Sequence, residues 1–186
     1  MNNNRGVGFT IVELVVTITI LVILTTLAVA RLSSAQVGSR DQERQADIAA
    51  LSTGLESYYQ NGDPLTYIPK GYYPGRNQIS TASSTTPPFK EFLDGLAEAS
   101  YVAPDRTISN SFGVDPAYAT APIGANPDGS YSDAQARALL ASFPYLYQPL
   151  RRNDAFCVSY LDCVRFNLYY LHEGTNTVKV IRSKNQ

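Results

Sequence analysis

The chain has 186 residues, the length of one ordinary domain, and its 15 Lys and Arg residues nearly balance its 16 Asp and Glu residues. This balance, with no block of like charge, argues against a nucleic-acid-binding domain held by a broad basic face. One His and two Cys exclude zinc sites built from four Cys, or from two Cys and two His.

The first predicted element is an apolar helix over residues 9–30. These 22 residues contain one charged side chain, Glu13. At 1.5 Å per residue the helix is about 33 Å long, enough to cross a bilayer core of about 30 Å. Arg5 and the initiator amine make the preceding stub positive, which favours a cytoplasmic N-terminus, although Arg31 beyond the run partly offsets this. The run therefore predicts a single-pass membrane protein with an extracytoplasmic body.

Two simpler interpretations of the run are a cleaved secretory signal and a plain membrane anchor. Cleavage after Ala30 fits the small residues of Ala28–Ala30 and would release a secreted soluble binding protein. The uncharged part, Leu14–Ala30, is longer than the apolar core of about 7–15 residues in a usual signal peptide. Glu13 suits neither interpretation, because a carboxylate in a membrane helix costs roughly 2.5–3.5 kcal/mol and usually has a partner.

The residues around Glu13 form a motif. The segment Gly8–Leu14 (GFTIVEL) follows a short basic leader and opens the apolar run. It resembles the processing site of type IV pilins and of the related pseudopilins of type II secretion. The resemblance implies that residues 1–8 are a leader, that a prepilin peptidase cuts between Gly8 and Phe9, and that the new Phe9 amine is methylated. It also implies that Glu13 is an assembly residue, whose carboxylate neutralises the terminal amine of a neighbouring subunit.

The resemblance also implies partners and a location. The partners are other pilin subunits, the prepilin peptidase, a cytoplasmic assembly ATPase and an inner-membrane platform protein. Before assembly the chain lies in the cytoplasmic membrane with its head outside the cytoplasm, and afterwards in a surface filament or a periplasmic pseudopilus. The expected function is structural and not enzymatic: a subunit of a pilus-like filament for adhesion, twitching motility or DNA uptake. A pseudopilin of secretion or competence is the alternative with the same motif.

The helix is predicted to continue through residues 31–60, because no Pro occurs between Met1 and Gln60. Apolar residues at i, i+3, i+7 and i+10 form one face of an amphipathic helix, namely Ile48, Leu51, Leu55 and Tyr58. A charged section nearer the membrane is predicted to be solvated; it contains Arg40, Asp41, Glu43, Arg44 and Asp47. The run Asn61–Pro64 is expected to end the helix.

Residues 61–186 are predicted to form a globular head. Residues 61–88 are rich in Pro, Gly, Ser, Thr and Tyr and indicate a loop. A short amphipathic helix ending near Ser100 is indicated by Phe89, Phe92, Leu93 and Leu96. Residues 104–129 are turn-rich, and a capping box at Ser132–Gln135 predicts a helix through about Ser142.

The C-terminal part carries the clearest strand signals. Alternating apolar residues predict a first strand at Phe156, Val158 and Tyr160, a second from Val164 to Tyr170, and a last one around Val178 and Val180, after a turn at 172–176. We therefore expect an α+β fold, in which the second half of the long helix packs on a small C-terminal antiparallel sheet, as in pilins.

Few residues of the head suggest chemistry. Cys157 and Cys163 are six apart, and a hairpin centred near Tyr160 would bring them together as a disulfide, with two free thiols as the alternative. Asn126, Asp128 and Ser130 imitate the start of a calcium loop but fail the EF-hand pattern, so a turn is expected there and no cofactor is assigned. Calcium stays a weak alternative, because the resemblance extends to pseudopilins that bind it in a head loop.

Catalytic and nucleic-acid functions have little support. The sequence contains no P-loop, HExxH or G-x-S-x-G motif, and His172 is the only histidine. Aromatic residues that could stack on DNA are Tyr58, Tyr59, Tyr67, Tyr72 and Tyr73, but core and loop packing is the expected role of this group. Nucleic acid is therefore retained as an unsupported partner.

Overall fold

The structure is a computed structural model that describes residues 9–62, 68–80, 96, 98–104, 112–114 and 126–185. The chain divides into two compact units, Met1–Ser39 and Arg40–Gln186. We call the first the N-terminal unit and the second the head. The boundary falls inside the segment 31–60, and the first helix contributes to both units.

The long N-terminal helix is confirmed. Helix α1 spans Ile11–Asn61 without interruption. It ends at Gly62, whose φ of 70° is a left-handed conformation that a glycine adopts without strain. The backbone N–H of Gly62 donates to the carbonyl of Tyr58 at 2.8 Å, which closes the last turn. A Cβ at Gly62 would lie 2.8 Å from the backbone of Ile68 and Lys70, so this end also requires a glycine for space.

The apolar face predicted in the second half of α1 is buried in the head. Ile48, Leu51, Leu55 and Tyr58 are at most 5 % exposed and belong to the main core cluster. The same cluster contains sheet residues, namely Tyr145, Tyr147, Leu168 and Tyr170. The packing of this helix face on the sheet is therefore confirmed.

The sheet is mixed, which corrects the antiparallel sheet expected from the sequence. Its four strands lie in the order β1 (Phe112–Val114), β2 (Tyr145–Leu150), β3 (Arg165–His172) and β4 (Thr177–Arg182). Strands β2, β3 and β4 pair antiparallel, whereas β1 pairs parallel to β2, with Phe112 opposite Tyr145. The last two strands and the turn between them agree with the prediction.

Two strands were missed and one was misplaced. Strand β1 has three residues and lies in the part predicted to be turn-rich, and β2 contains Pro149, which argues against a strand in a sequence. The strand predicted at Phe156, Val158 and Tyr160 is wrong. Phe156 forms only an isolated bridge to Leu150, and residues 160–162 form a 3₁₀ turn.

Both faces of the central strands are covered. Tyr145 and Tyr147 of β2 contact the core beneath α1, whereas Leu146 between them joins a second cluster with Ala136 and Leu140. These last two residues belong to helix α3 (Asp133–Leu140), which opens with the predicted capping box between Ser132 and Gln135. Successive side chains of β2 thus pack into two different hydrophobic clusters, one on each face of the sheet. For this reason β2 is buried along its whole length.

Several smaller predictions have mixed outcomes. Residues 61–88 contain a five-residue helix, α2 (Arg76–Ser80), that was not expected. Most of the helix predicted from Phe89 to Ser100 lies outside the described residues, apart from a 3₁₀ segment at Glu98–Tyr101. Of the tyrosines considered for stacking on DNA, Tyr58 and Tyr73 are buried, Tyr59 and Tyr72 are half-buried, and Tyr67 lies outside the described residues.

The charged section of α1 is largely buried, not solvated as predicted. Asp41, Arg44 and Asp47 are at most 7 % exposed, whereas Glu43 faces solvent. The reason is that the β3–β4 turn and the sheet supply polar partners for these side chains.

Asp41 holds the β3–β4 turn. Its carboxylate accepts the backbone N–H groups of Glu173 and Gly174 at 2.7 and 2.8 Å. Glu173 in turn binds both Arg40, at 2.5 Å, and Arg44, at 3.1 Å. Farther along α1, Asp47 accepts the hydroxyl of Tyr145 at 2.5 Å. Hydrogen bonds and ion pairs of these acidic and basic side chains thus join α1 to the sheet and the β3–β4 turn. The helical pattern alone predicts that the same side chains face solvent.

Candidate functional site

The beginning of α1 is a reciprocal cap built from two residues of the predicted processing motif. The Thr10 hydroxyl accepts the backbone N–H of Glu13 at 3.2 Å, while the Glu13 carboxylate accepts the backbone N–H of Thr10 at 3.1 Å and its hydroxyl at 3.0 Å. This is a capping box, which satisfies N–H groups that the first helical turn leaves without partners. The T-x-x-E spacing was readable in the sequence, but sequence reasoning gave Glu13 an assembly role only.

The predicted cleavage point lies next to this cap. Phe9 directly precedes Thr10 and its side chain is 76 % exposed, while Gly8 lies outside the described residues. Both capping residues follow the bond between Gly8 and Phe9. A chain cut there would therefore keep the whole cap, with its new terminal amine one residue before it.

The helix beyond the cap presents apolar side chains on every side. Each large apolar residue from Phe9 to Leu32 is at least 51 % exposed within this chain. By length and composition, α1 contains a segment able to cross a membrane. A helix that is apolar all round is normally buried in lipid or among other helices.

Four threonines interrupt this apolar surface without leaving a hydroxyl donor unsatisfied. The hydroxyls of Thr17, Thr19, Thr25 and Thr26 each donate to a backbone carbonyl three or four residues earlier, at 2.7–2.8 Å. Such bonds let a threonine lie in a water-free environment, because the polar group is satisfied within its own helix. Glu13 is the one ionisable residue between Phe9 and Ala30.

The disulfide candidates are joined in the structure. Cys157 and Cys163 are both buried and form a disulfide with their Cα atoms 5.5 Å apart. The bridge does not close a hairpin of two strands, as the sequence suggested, but a loop that contains the 3₁₀ turn at 160–162. The carbonyl of Cys163 accepts the N–H of Tyr73 at 2.7 Å, which ties this loop to the segment before α2.

The weak calcium candidates form a turn bonded to itself and to the sheet. The amide of Asn126 donates to the Ser130 hydroxyl, and one Asp128 oxygen accepts both the N–H and the hydroxyl of Ser130. The other Asp128 oxygen binds Arg182 at 2.7 Å, a cation that competes with a metal for this carboxylate. Within the described ranges, no three His, Cys, Asp or Glu residues form a group that could hold a metal ion.

His172 lies at the end of β3, as predicted for a turn residue. Its Nδ1 is 3.1 Å from the buried carboxylate of Asp41 and 3.1 Å from the hydroxyl of Thr175. These contacts belong to the fastening of the β3–β4 turn and do not resemble a nucleophile with its base.

No family model, no curated protein and no solved structure matches the chain. The features that bear on function are therefore its own: an apolar first part of α1 whose large side chains are exposed, a capped start that contains Glu13, the one acidic residue of residues 9–30, and an α+β head. Together they can serve membrane insertion and helix-to-helix assembly.

Proposed function

We propose that the chain is a structural, non-enzymatic subunit of a type IV pilus-like filament. It enters the cytoplasmic membrane as a precursor, loses residues 1–8 to a prepilin peptidase, is methylated at Phe9 and polymerises through α1. The observation that carries the proposal is the apolar surface of α1 from Phe9 to Leu32, which is exposed on all sides and has Glu13 at its start. The packing of α1 on a small sheet also supports the proposal, because the resemblance implies a long helix whose second half packs on a small sheet, although the parallel strand β1 departs from the antiparallel sheet that it implies.

Burial of this surface drives the proposed assembly. A helix leaving the bilayer cannot stay in water with its apolar side chains exposed, so it must pack on the same segment of other subunits. Cleavage before Phe9 adds a positive amine to the apolar end of the helix, and an unpaired charge is costly in a dry environment. The Glu13 carboxylate of a neighbouring subunit neutralises this amine and sets the axial position of one helix against the next.

The proposed partners follow from this route. They are further pilin subunits, the prepilin peptidase, an assembly ATPase and a platform protein of the inner membrane. The head faces away from the cytoplasm before assembly and lies on the filament afterwards. A pseudopilin is the second candidate because it shares the Gly8–Leu14 motif, and long surface fibres distinguish a pilus from a short periplasmic pseudopilus.

Two matched substitutions separate the charge of Glu13 from its capping role. Glu13→Gln removes the charge but keeps a side-chain oxygen for the cap, since Gln also serves in capping boxes. Thr10→Val removes the capping hydroxyl and leaves the charge. We expect Glu13→Gln to lower the amount of filament at least about tenfold, the effect of roughly 1.4 kcal/mol, while cleavage after Gly8 continues. Thr10→Val should assemble nearly as the parent does.

The measurement is the ratio of sheared surface filament to total processed subunit in the producing cells. The opposite ranking, with Thr10→Val defective and Glu13→Gln normal, would leave Glu13 with a capping role and remove it from assembly.

A further inference from the structure

The disulfide loop Cys157–Cys163 packs against a second piece of chain, the segment Tyr73–Asn77 that leads into α2. Three backbone hydrogen bonds join the two pieces: the N–H groups of Tyr73, Arg76 and Asn77 donate to the carbonyls of Cys163, Cys157 and Val158 at 2.7, 3.3 and 3.0 Å. Gly75 lies so close to the loop that a Cβ there would be 2.7 Å from backbone atoms of Val158 and Ser159. Loop and segment are therefore in direct backbone contact.

Tyr73 holds this segment in the core of the head. Its side chain is fully buried, and its ring meets Phe166 of β3 edge-on, with the ring centroids 4.9 Å apart. Its hydroxyl donates to Glu56 of α1 at 2.9 Å and accepts the side-chain amide of Asn185 at 3.0 Å. The segment thus joins α1, the sheet and the C-terminal residues, so it leaves the disulfide loop only when this part of the head opens.

Both cysteines are shut off from solvent in the closed head. Cys157 and Cys163 are 0 % exposed and belong to the same core cluster as Tyr73. Thiol–disulfide exchange needs a thiolate and a free path to the sulfur that is attacked, and a buried structural cysteine is inert. A bridge in this position is therefore made or broken only while the head is open.

Closure of the head and formation of the bridge compete in time. Small domains fold within microseconds to seconds, whereas uncatalysed disulfide rearrangement takes minutes to hours. A head that closed before its cysteines were joined would bury two thiols and keep them reduced. The bridge between Cys157 and Cys163 therefore requires a fast oxidant that acts on the open head.

We infer that the newly exported head is the substrate of a dithiol–disulfide oxidase outside the cytoplasm, which joins Cys157 to Cys163 before Tyr73–Asn77 docks on the loop. This order rests on the proposed function, which places the head outside the cytoplasm, where disulfides persist. Oxidation of the two thiols then precedes closure of the head, and closure precedes incorporation into the filament.

The oxidation is a pair of exchange steps. The thiolate of one cysteine attacks the disulfide of the oxidase and forms a mixed disulfide, and one thiolate of the oxidase leaves. The thiolate of the other cysteine then attacks the chain's own sulfur in this mixed disulfide, and the second thiolate of the oxidase leaves. The chain loses two electrons and two protons, and the oxidase gains them as its dithiol.

The bridge links this oxidation to assembly through the stability of the head. The two cysteines are six positions apart. In the chain-entropy account, a bridge across so short a loop raises the ratio of folded to unfolded head about fiftyfold. Reduced chains are therefore expected to be depleted from the filament.

Reduction of the purified full chain in mild detergent tests the burial on which this order depends. Dithiothreitol reaches the sulfur atoms only in the open population, so reduction without urea should be at least about a thousandfold slower than in urea that unfolds the head. Alkylation followed by intact mass counts the free thiols. Similar rates with and without urea would overturn the order, because sulfur atoms reachable in the closed head could be oxidised at any time.

Two glycine substitutions are matched variants for this measurement. Gly75→Ala places a Cβ against the backbone of the disulfide loop and should speed reduction without urea at least about tenfold. Gly38→Ala places a Cβ where no atom lies within 4 Å and should leave the rate of reduction unchanged. Equal rates for the two variants would show that contact with Tyr73–Asn77 does not protect the bridge.

A partial dose of reductant in producing cells tests the order of events. Added before synthesis of the chain, it should give a mixture in which bridged chains are enriched in sheared filaments over reduced ones at least about tenfold, relative to the cell pool. Added after assembly, it should leave no alkylatable thiols in the filament. Reduced and bridged chains in equal proportion in filament and cell would overturn the order and leave the filament in place. Absence of processed filaments from untreated cells would overturn the proposed function, while the reduction rates still decide whether the bridge forms before closure.

Discussion

Replacement of Asp41 with alanine is expected to lower the free energy of unfolding of the head by about 3 kcal/mol. The buried carboxylate accepts two backbone N–H groups of the β3–β4 turn, and each would lose its partner at a cost of about 1–3 kcal/mol. The substitution also removes a charge that lies beside buried Arg44. Arg44 keeps its contact with Glu173 in this variant. The loss of unfolding free energy therefore stays below that expected for a buried charge left with no partner.

Asp133→Ala is the matched control for Asp41→Ala. Asp133 also binds an arginine, Arg137, but its side chain is 64 % exposed, and exposed pairs contribute about 0.2–1 kcal/mol. Urea unfolding of the full chain in mild detergent, followed by the near-ultraviolet circular dichroism of the head tyrosines, measures both variants. Equal small losses from Asp41→Ala and Asp133→Ala would show that the turn does not depend on Asp41.

Asp41 also makes the stability of the head sensitive to acid. Burial alone would raise the pKa of Asp41, but the N–H groups of Gly174 and Glu173, with His172 and Arg44, hold it below its ordinary value. A hydrogen bond from Arg40 is the main reason that the pKa of Glu173 falls to about 2. The stabilisation from both groups is therefore present above their ordinary pKa values and is lost as the pH falls below them.

Asp47 is expected to act in the opposite direction, which gives the second large effect. Burial raises the pKa of Asp47 to about 6 from an ordinary value of 3.8, against the hydrogen bond from Tyr145 and with the help of the nearby Glu43 charge. Between these two values the folded head holds a proton that the unfolded chain has released. Stability is thus lost as the pH rises through this window, by up to about 3 kcal/mol at neutral pH.

Asp47→Asn should remove this dependence and keep an oxygen for the Tyr145 hydroxyl. The difference in unfolding free energy between Asp47→Asn and the parent chain should grow in favour of the variant from pH 4 to about pH 7. Urea titrations at several pH values measure it, and subtraction of the parent curve removes the part that belongs to Asp41 and Glu173. A difference that does not change with pH would mean that Asp47 is ionised in the fold at its ordinary pKa.

The regular elements of the chain were predictable because their signals are local. The absence of proline and the spacing of Ile48, Leu51 and Leu55 fix α1 and its buried face. The capping box at Ser132 marks the start of α3. In each case neighbours in the sequence are also neighbours in space, so a pattern of a few residues contains the information.

The missed features depend on residues far apart in the chain. Nothing near Asp41 in the sequence indicates that the N–H groups of Glu173 and Gly174 will cover it. The parallel pairing of β1 with β2 likewise joins segments more than thirty residues apart. In β2 the local signal even opposes the result, since Pro149 disfavours a strand while packing on both faces stabilises one.

The candidate site at the start of α1 contains one feature that the sequence predicted and one that was missed. The length and composition of the apolar run predict its ability to cross a membrane, and the structure adds that each large apolar side chain from Phe9 to Leu32 is at least 51 % exposed. The T-x-x-E spacing of Thr10 and Glu13 indicates a capping role for Glu13. That role was not predicted, because an acidic residue in an apolar helix was interpreted as an assembly residue. Its role between subunits depends on a second chain, so it stays a prediction.

The most direct test of the proposed function is the intact mass and N-terminal sequence of the protein isolated from the membranes or surface filaments of producing cells. We predict a chain that begins at N-methylated Phe9 and keeps the whole of α1, with Glu13 as its fifth residue. A chain that begins at Arg31 would contradict it, because the apolar helix would then be a discarded signal and the head a secreted soluble protein.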